Sequence, residues 1–116
     1  MILPGAGTRI FLATGPTDMR KGFDGLSELV RQRIQGDPLT GHWFIFCNRR
    51  RNRLKVLFFD GSGLWLCQKQ LQRGIYSWPD AESGSSVTLT REELTLLLGG
   101  IELERVRSKN WWRREI

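Results

Sequence analysis

The sequence predicts an α+β domain: a mainly antiparallel sheet of four to five strands, with two helices packed on one face. Short apolar runs separated by Gly, Pro and Asp turns indicate strands joined by hairpins. One stretch, residues 19–34, has the apolar spacing of a helix, and a second helix has a recognisable start signal. Since 116 residues is the length of one domain, we assign residues 1–103 to this domain and residues 104–116 to a basic, Trp-containing tail.

The N-terminal third predicts one strand and one helix. Residues 9–13 (RIFLA) read as a strand, and Gly15-Pro16 marks a turn. Thr17 and Asp18 are both suitable caps for a following helix. The apolar residues after them recur three or four positions apart, which indicates one buried helix face made of Met19, Phe23, Leu26, Val30 and Ile34.

Two glycines interrupt this helix, and each costs about 1 kcal/mol relative to Ala. Gly22 and Gly25 therefore need a reason. Three explanations remain open: close packing on the sheet, a backbone approached by a ligand, or a loop that becomes helical only after Phe23. On the polar face, charge spacing predicts the ion pairs Arg20–Asp24 and Glu28–Arg31.

The middle of the chain predicts a run of strands. Residues 42–47 and 54–59 form a hairpin with apolar residues on both faces, so these strands lie centrally or have a covered second face. Further strands are expected at residues 64–70, 75–78 and 87–89, separated by turns. Thr90 and Glu93 then match a capping box, so a helix is expected over residues 91–98, ending at Gly99-Gly100.

The composition favours an anionic partner. The formal net charge is +6, and the isoelectric point near 10.2 is typical of proteins that bind nucleic acid. The sequence has no apolar run of about 18 residues and no basic leader before an apolar segment, so we expect a cytoplasmic protein that contacts no membrane. In that compartment Cys47 and Cys67, each inside an apolar strand pattern, are expected to be buried thiols.

No pattern in the sequence indicates catalysis. A single histidine, His42, and two widely spaced cysteines do not make a metal site. The acidic candidates for catalytic metal ions have structural explanations: Asp18 starts a helix, Asp24 pairs with Arg20, Asp60 lies in a turn and Asp80 in a polar link. We therefore expect no enzyme activity, no cofactor, no metal and no catalytic residue, after weighing Asp18, Asp24, Asp60, Asp80 and Glu82.

The turn of the central hairpin is strongly basic. Residues 49–55 (RRRNRLK) hold five positive charges and no negative one, so they account for most of the net charge. We call its four arginines, Arg49, Arg50, Arg51 and Arg53, the basic tip. Arginine binds phosphate through paired hydrogen bonds, which suits a DNA backbone or minor groove. Lys55 completes the predicted DNA-binding set, although strand alternation places it off the tip. The alternative is charge that protects a sheet edge from aggregation.

The C-terminal tail combines Trp111-Trp112 with Arg113-Arg114. Such a pairing suits stacking on bases or docking in a groove of a partner protein. Tryptophans that fold back over an open sheet face explain the same residues equally well. We assign Trp111 and Trp112 to partner binding and leave the second explanation open.

Several stretches together resemble a known family. They are TGPTDMRKGFDGL (14–26), NRLKVLFFDGSGLWL (52–66), RGIYSWP (73–79) and LTREELTLLLGGIEL (89–103). The chain is similar to the small second-reading-frame protein of insertion sequences of family 66. That protein is often called TnpB and is unrelated to the RNA-guided nuclease of that name. The resemblance implies a bacterial mobile genetic element whose separate, larger transposase carries the catalytic carboxylates. It also implies that this small protein assists the transposase in DNA recombination.

The resulting hypothesis is a non-catalytic accessory factor for transposition that binds DNA, at the element ends or the target, through the basic tip. The resemblance adds Arg20 and Lys21 to the DNA-contacting set, although a salt-paired helix face explains them as well. A rival hypothesis is a protein-interaction subunit that docks on the transposase through its aromatic sheet face and tail, without touching DNA. A nuclease is a third, and a second copy of the chain is a further candidate partner.

Overall fold

The computed structural model describes residues 4–99 and 113–114. Six strands, two α-helices and two short helical segments follow one another in these residues. In chain order they are β1 (Ile10–Ala13), α1 (Phe23–Leu29) continuing as a π-helix (Val30–Ile34), β2 (Trp43–Cys47), β3 (Arg53–Phe59), β4 (Leu64–Gln70), a 3-10 turn (Ala81–Ser83), β5 (Ser86–Leu89), α2 (Arg91–Leu98) and β6 (Arg113–Arg114).

The strands form one sheet in the order β4-β3-β2-β1-β5-β6. Only the β1–β2 pair is parallel, while the four other neighbouring pairs are antiparallel. The predicted class, an α+β domain with a mainly antiparallel sheet, is therefore confirmed. Five strands lie in residues 4–99, and the two-residue β6 adds a sixth. As predicted from their apolar faces, β2 and β3 lie inside the sheet.

The two helices do not share a face of the sheet, which corrects that part of the prediction. Leu94, Leu97 and Leu98 of α2 pack with Trp43 and Ile45 of β2. On the opposite side, Leu26 of α1 and Val30 of the following π-helix pack with Phe44, Phe46 and Leu57. The parallel β1–β2 pair explains the difference, because α1 lies in the long connection between these strands and crosses over one face.

The first helix begins later than its apolar spacing indicates. Residues 17–22 are not helical, and α1 starts at Phe23 with Gly22 as its N-cap. The third explanation is therefore confirmed for Gly22, whereas Gly25 lies inside α1. At Gly25, an added Cβ would lie 3.1 Å from the Cβ of Lys21, so close contact with the preceding loop favours glycine here. Phe23 is 48 % exposed, so its predicted place on the buried helix face is wrong.

The expected strand at residues 75–78 is a loop. Its large side chains are nevertheless buried: Tyr76 and Trp78 join the core on the α2 face of the sheet. The indole Nε1 of Trp78 donates to the carbonyl of Ala13 at 3.0 Å, which ties the loop to the end of β1. The apolar pattern here therefore belongs to a loop whose side chains pack into the core, not to a strand.

The second helix matches its prediction. The Thr90 hydroxyl accepts from the amide of Glu93 at 3.1 Å, and the Glu93 carboxylate accepts from the amide of Thr90 at 2.9 Å. Both halves of the capping box are thus present at the start of α2. Reciprocal bonds of this kind satisfy two donors that a helix start otherwise leaves without partners.

Candidate nucleic-acid interface

The longest loops gather at one end of the sheet, which we call the loop end. β1 and β2 finish there and β3 begins there, as the pairing register requires. The loops of the loop end are residues 14–22, 48–52 and 71–85. Together with Arg53 they hold seven basic residues against three acidic ones: Arg20, Lys21, Arg49, Arg50, Arg51, Arg53 and Arg73 against Asp18, Asp80 and Glu82.

The opposite end of the sheet is not basic. Its loops, residues 4–9, 36–42 and 60–63, carry Arg9 against Asp37 and Asp60. Asp60 closes the β3–β4 turn: its carboxylate accepts from the amides of Ser62 and Gly63 and from the Trp65 indole. These donors, the Ser62 amide first, hold the pKa of Asp60 well below its ordinary value. The positive charge of the domain is thus concentrated at the loop end.

The basic tip lies on a turn closed by several hydrogen bonds. The Asn48 side chain accepts from the amides of Asn52 and Arg53, both at 3.0 Å, and donates to the Asn52 side chain at 2.8 Å. The Arg51 amide donates to the Asn48 carbonyl at 3.1 Å, and Arg51 itself adopts a left-handed conformation with φ of 61°. Such a conformation is uncommon outside glycine, so the surrounding bonds hold it in place.

The four arginines of the tip have no acidic partner among the described residues. Arg49, Arg50 and Arg53 are exposed and Arg51 is half-buried. Both ion pairs found in the described part of the chain lie elsewhere, at Arg20 and Arg31. None of the four arginines therefore forms an ion pair within the described part of the chain, and three of them are open to solvent.

A small cleft opens beside the tip. Its volume is about 140 Å³, and its walls come from the tip and from the loop around Trp78 and Pro79. Arg49 and Arg51 line one side, and Asp80 lines the other. A space of this size is far below that of a typical small-molecule site, but it can admit a single charged group.

The segment that carries Arg20 and Lys21 is fixed next to the tip. The Thr17 amide donates to the carbonyl of Cys47, the last residue of β2, at 2.7 Å. The Lys55 ammonium donates to the carbonyls of Met19 and Lys21 at 2.7 and 2.8 Å. The structure therefore brings both predicted basic sets to the same end of the sheet.

Lys55 itself is not available to DNA. Its residue is only 8 % exposed, and its ammonium is bound to the two carbonyls just described. The prediction that it lies off the tip is right, and its membership in the DNA-contacting set is corrected. Its role is to position residues 17–22 by a link across the α1 face of the sheet.

Arg20 is partly engaged within its own loop. Its guanidinium lies 2.8 Å from the carboxylate of Asp18, in place of the predicted pair with Asp24. The hydrogen bonds from the Arg20 side chain and then its amide lower the pKa of Asp18 to about 2. The pair is exposed, so it is weakly held. The other predicted pair, Glu28–Arg31, is present at 3.6 Å.

Arg73 is a basic residue of the loop end that the sequence did not place in the DNA-contacting set. It is exposed, and its loop is tied to the tip from both sides. The Leu71 amide donates to the Asn52 carbonyl at 2.8 Å, and the Tyr76 amide donates to the Arg51 carbonyl at 2.6 Å. Only the hairpin register, which returns the end of β4 to the start of β3, places Arg73 beside the tip.

The α2 face of the sheet carries an aromatic row. Trp43 stacks on Phe58 with ring centroids 4.8 Å apart, and Phe58 stacks on Trp65 at 6.2 Å. Trp65, at the end of this row, is 47 % exposed. Beside the row lies a largely apolar groove of about 190 Å³ that reaches Cys67 and Leu98. This face is thus mainly aromatic and apolar, in contrast to the basic loop end.

The cysteines differ from each other. Cys47 is buried, and burial raises the pKa of its thiol to about 12, so it carries no thiolate at neutral pH. Cys67 is exposed, which corrects the prediction that it is buried.

Within residues 4–99 and 113–114, no three His, Cys, Asp or Glu side chains lie close enough together to hold a metal ion. No helix in this part of the chain is both long and apolar enough to cross a bilayer.

Trp111 and Trp112, and with them most of the predicted tail 104–116, lie outside the described residues. From this tail only the backbone of Arg113 and Arg114 is described. It pairs with Thr88 and Val87 of β5. The assignment of the two tryptophans to partner binding stays a prediction.

Comparison with known proteins identifies the family. Residues 8–108 match the family model described as IS66 Orf2 like protein. The chain is 38 % identical to the uncharacterized protein y4jC of Sinorhizobium fredii over 109 residues, which cover 94 % of this chain and 92 % of the relative. It is 40 % identical over 102 residues to y4hO of the same organism, with 88 % of each chain covered. No solved structure matches significantly. The chain therefore belongs to the IS66 Orf2-like family, whose members have an accessory role in the transposition of insertion sequences.

Proposed function

We propose that this chain is a non-catalytic transposition factor that contacts DNA directly, at the element ends or the target, with its basic tip. One observation carries the proposal: the four arginines of the tip share one turn at the basic loop end, three of them are exposed, and none forms an ion pair with another described residue. Arginines presented on such a hydrogen-bonded turn can make bidentate contacts with phosphate oxygens. We place this activity in the cytoplasm, where DNA and the transposase of the same element are both present.

The arrangement supports contact with the backbone of DNA more than reading of its bases. A phosphate that approaches the cleft would meet Arg49 and Arg51 together. Lys21 and Arg73, on the two flanking loops, extend the positive surface on either side. Because phosphates are the same in every sequence, such a surface gives affinity and position but little sequence specificity.

A paired-variant titration tests this proposal. We expect Arg49→Ala/Arg50→Ala to weaken binding of a fluorescein-labelled duplex at least tenfold at about 0.1 M salt, because two phosphate contacts are lost. Arg9→Ala/Arg91→Ala is the matched control. It removes the same charge from the far end of the sheet, where β1 begins and β5 has ended. Fluorescence anisotropy of each full-length variant gives the dissociation constant.

Equal weakening by both double variants would mean that only total charge matters, and the tip would lose its role. Absence of DNA binding by the wild-type chain would remove the proposal altogether. Cleavage of the duplex in the presence of Mg²⁺ would contradict its non-catalytic part. In that case loss of cleavage in Asp60→Asn would support the nuclease hypothesis.

A second candidate function is docking on the transposase without direct DNA contact. The aromatic row of Trp43, Phe58 and Trp65 and the apolar groove beside it favour this candidate. Aromatic residues are enriched at protein interfaces, and Trp is among the side chains that contribute most to binding. If this candidate holds, tagged chain retains the transposase of its own element at high salt. Trp65→Ala should then abolish the retention, while Arg49→Ala/Arg50→Ala should leave it unchanged.

A further inference from the structure

The outer edge of β4 has no partner among the described residues. β4 is the first strand in the sheet order, and all seven of its residues pair with β3 on one side only. The opposite edge of the sheet differs, because β5 is followed there by the short strand β6. An edge strand presents a row of unused backbone donors and acceptors to any strand that can align with them.

This edge also lacks the usual protection against pairing. Proteins shield such edges with prolines, bulges, very short strands or several charges. β4 is seven residues long, and its register with β3 is unbroken from Leu64 to Gln70. Its sequence, LWLCQKQ, contains no proline and one charge, Lys69.

The hairpin geometry shows which backbone groups face outward. Leu71 donates its amide to Asn52 at 2.8 Å, and Asp60 donates its amide to the carbonyl of Gly63 at 3.0 Å. In an antiparallel ladder, inward and outward groups alternate along the strand. The odd-numbered residues of β4 therefore bond to β3, and the amides and carbonyls of Leu66 and Gln68 point to the open edge.

We propose that a second copy of this chain pairs antiparallel with β4, with the two-fold axis at Cys67. Cys67 is the middle residue of the strand, so this register alone pairs all seven residues of both copies. It places the outward groups of Leu66 opposite those of Gln68, which completes the new ladder. It also sets Lys69 opposite Trp65, so the single charge of the strand never faces itself. The result is one continuous sheet of two domains.

The same register brings the two Cys67 side chains together. Cys67 bonds inward to β3, so across the new edge it forms a non-hydrogen-bonded pair, with Cα atoms about 4.5 Å apart. That separation falls within the range for a disulfide, which begins near 4.4 Å. The Cys67 residue is exposed in the isolated chain. The basic tips remain free, because antiparallel pairing leaves the two loop ends at opposite ends of the joined sheet.

The test uses the full-length chain without DNA, so its outcome is independent of the proposed DNA contact. Analytical ultracentrifugation under reducing conditions should give twice the 13.4 kDa mass of one chain. Diamide should then join two chains: the two Cys67 thiols lose two electrons and two protons to the diamide, and one S–S bond forms. The linked product should form in Cys47→Ser and be absent in Cys67→Ser.

Random collision of exposed thiols requires its own control. Gln72→Cys in the Cys67→Ser background offers an exposed thiol just beyond β4. Five residues from the axis, its two copies lie on the order of 30 Å apart in the proposed dimer. We expect no rapid linkage of this variant. Linkage as fast as that of Cys67 would overturn the proposed register.

Gln68→Pro tests the ladder itself. It removes an outward amide donor from each chain, a change that edge strands tolerate when the amide faces solvent. The dimer dissociation constant should rise about tenfold or more for the two lost hydrogen bonds, while the circular dichroism of the fold is kept. A wild-type chain that stays monomeric at every concentration overturns the proposal, whether residues 100–112 or a transposase segment covers the edge. A dimer that persists in Gln68→Pro and that diamide fails to cross-link would overturn the proposal as well.

Discussion

Replacement of Lys55 by methionine should destabilise the fold more than any change at the exposed basic residues. Methionine keeps most of the apolar stem but removes the ammonium that binds the carbonyls of Met19 and Lys21. A hydrogen bond to a charged group contributes roughly 1.5–3 kcal/mol net, and an unpaired buried carbonyl adds a penalty of its own. Relief of the buried charge and access of water to the exposed Lys21 offset part of this loss.

We therefore expect Lys55→Met to lower the free energy of unfolding by about 2–4 kcal/mol. Urea titration at pH 7 measures the loss as a fall in the transition midpoint of roughly 1–2 M, at the slopes usual for small domains. Lys21→Met is the matched control, since Lys21 is an exposed lysine on the same loop. Its effect should stay within about 0.5 kcal/mol.

Hydrogen exchange separates loss of the loop anchor from general destabilisation. The Thr17 amide, which donates to the Cys47 carbonyl at 2.7 Å, lies in the segment that Lys55 holds. Its exchange should become faster in Lys55→Met by a larger factor than that of amides in β2 and β3. A destabilisation below about 0.5 kcal/mol would refute the reasoning, because that is the range of surface substitutions without any special role. Unchanged Thr17 exchange would refute the anchoring role specifically.

Three further predictions concern local structure. Thr90→Ala removes the cap of α2 and should lower the free energy of unfolding by about 1 kcal/mol in urea titration, whereas Thr90→Ser should retain most of it. Gln35→Gly should raise that free energy by about 0.5–1 kcal/mol, since Gln35 ends the π-helix with φ of 60° and glycine adopts this conformation without steric cost. Asp60 has a lowered pKa in the fold, so its turn contributes stability that is present above the ordinary value of 3.8 and is lost as the pH falls below it. Asp60→Asn should flatten the pH dependence of thermal stability in that window.

The regular elements were predictable because local patterns dictate them. Strand boundaries in β2, β3 and β4 follow from apolar runs ended by Gly, Asp and Asn turns, and the capping box of α2 is a four-residue signal. The strand predicted at residues 75–78 is absent for a physical reason. A buried Tyr76 and Trp78 give the same spacing whether they belong to a strand or to a loop that plugs the core.

The arrangement of elements needed long-range information. No local pattern says that β1 pairs in parallel with β2, and this pairing is what sends α1 to the face opposite α2. Helix periodicity likewise placed Phe23 inside, although it lies on the first turn of α1, where the chain has just left an exposed loop.

The basic tip of the candidate site could be predicted from the sequence, but the positions of Lys55 and Arg73 could not. Charge counting found the basic tip, because residues 49–55 hold five positive charges and no negative one. Two features depended on contacts far apart in sequence: Lys55 is bound to carbonyls more than thirty residues earlier, and Arg73 reaches the tip only through the hairpin register. Charge alone cannot separate a lysine that binds a polyanion from one that positions a loop.

The salt dependence of DNA binding tests the central claim most directly. If the four arginines of the tip each neutralise one phosphate, the logarithm of the association constant should fall with the logarithm of salt concentration at a slope of about −4. Arg49→Ala/Arg50→Ala should reduce that slope to about −2, while Arg9→Ala/Arg91→Ala should leave it unchanged. A wild-type slope near zero, or the same slope in all three proteins, would contradict a role for the tip in DNA binding.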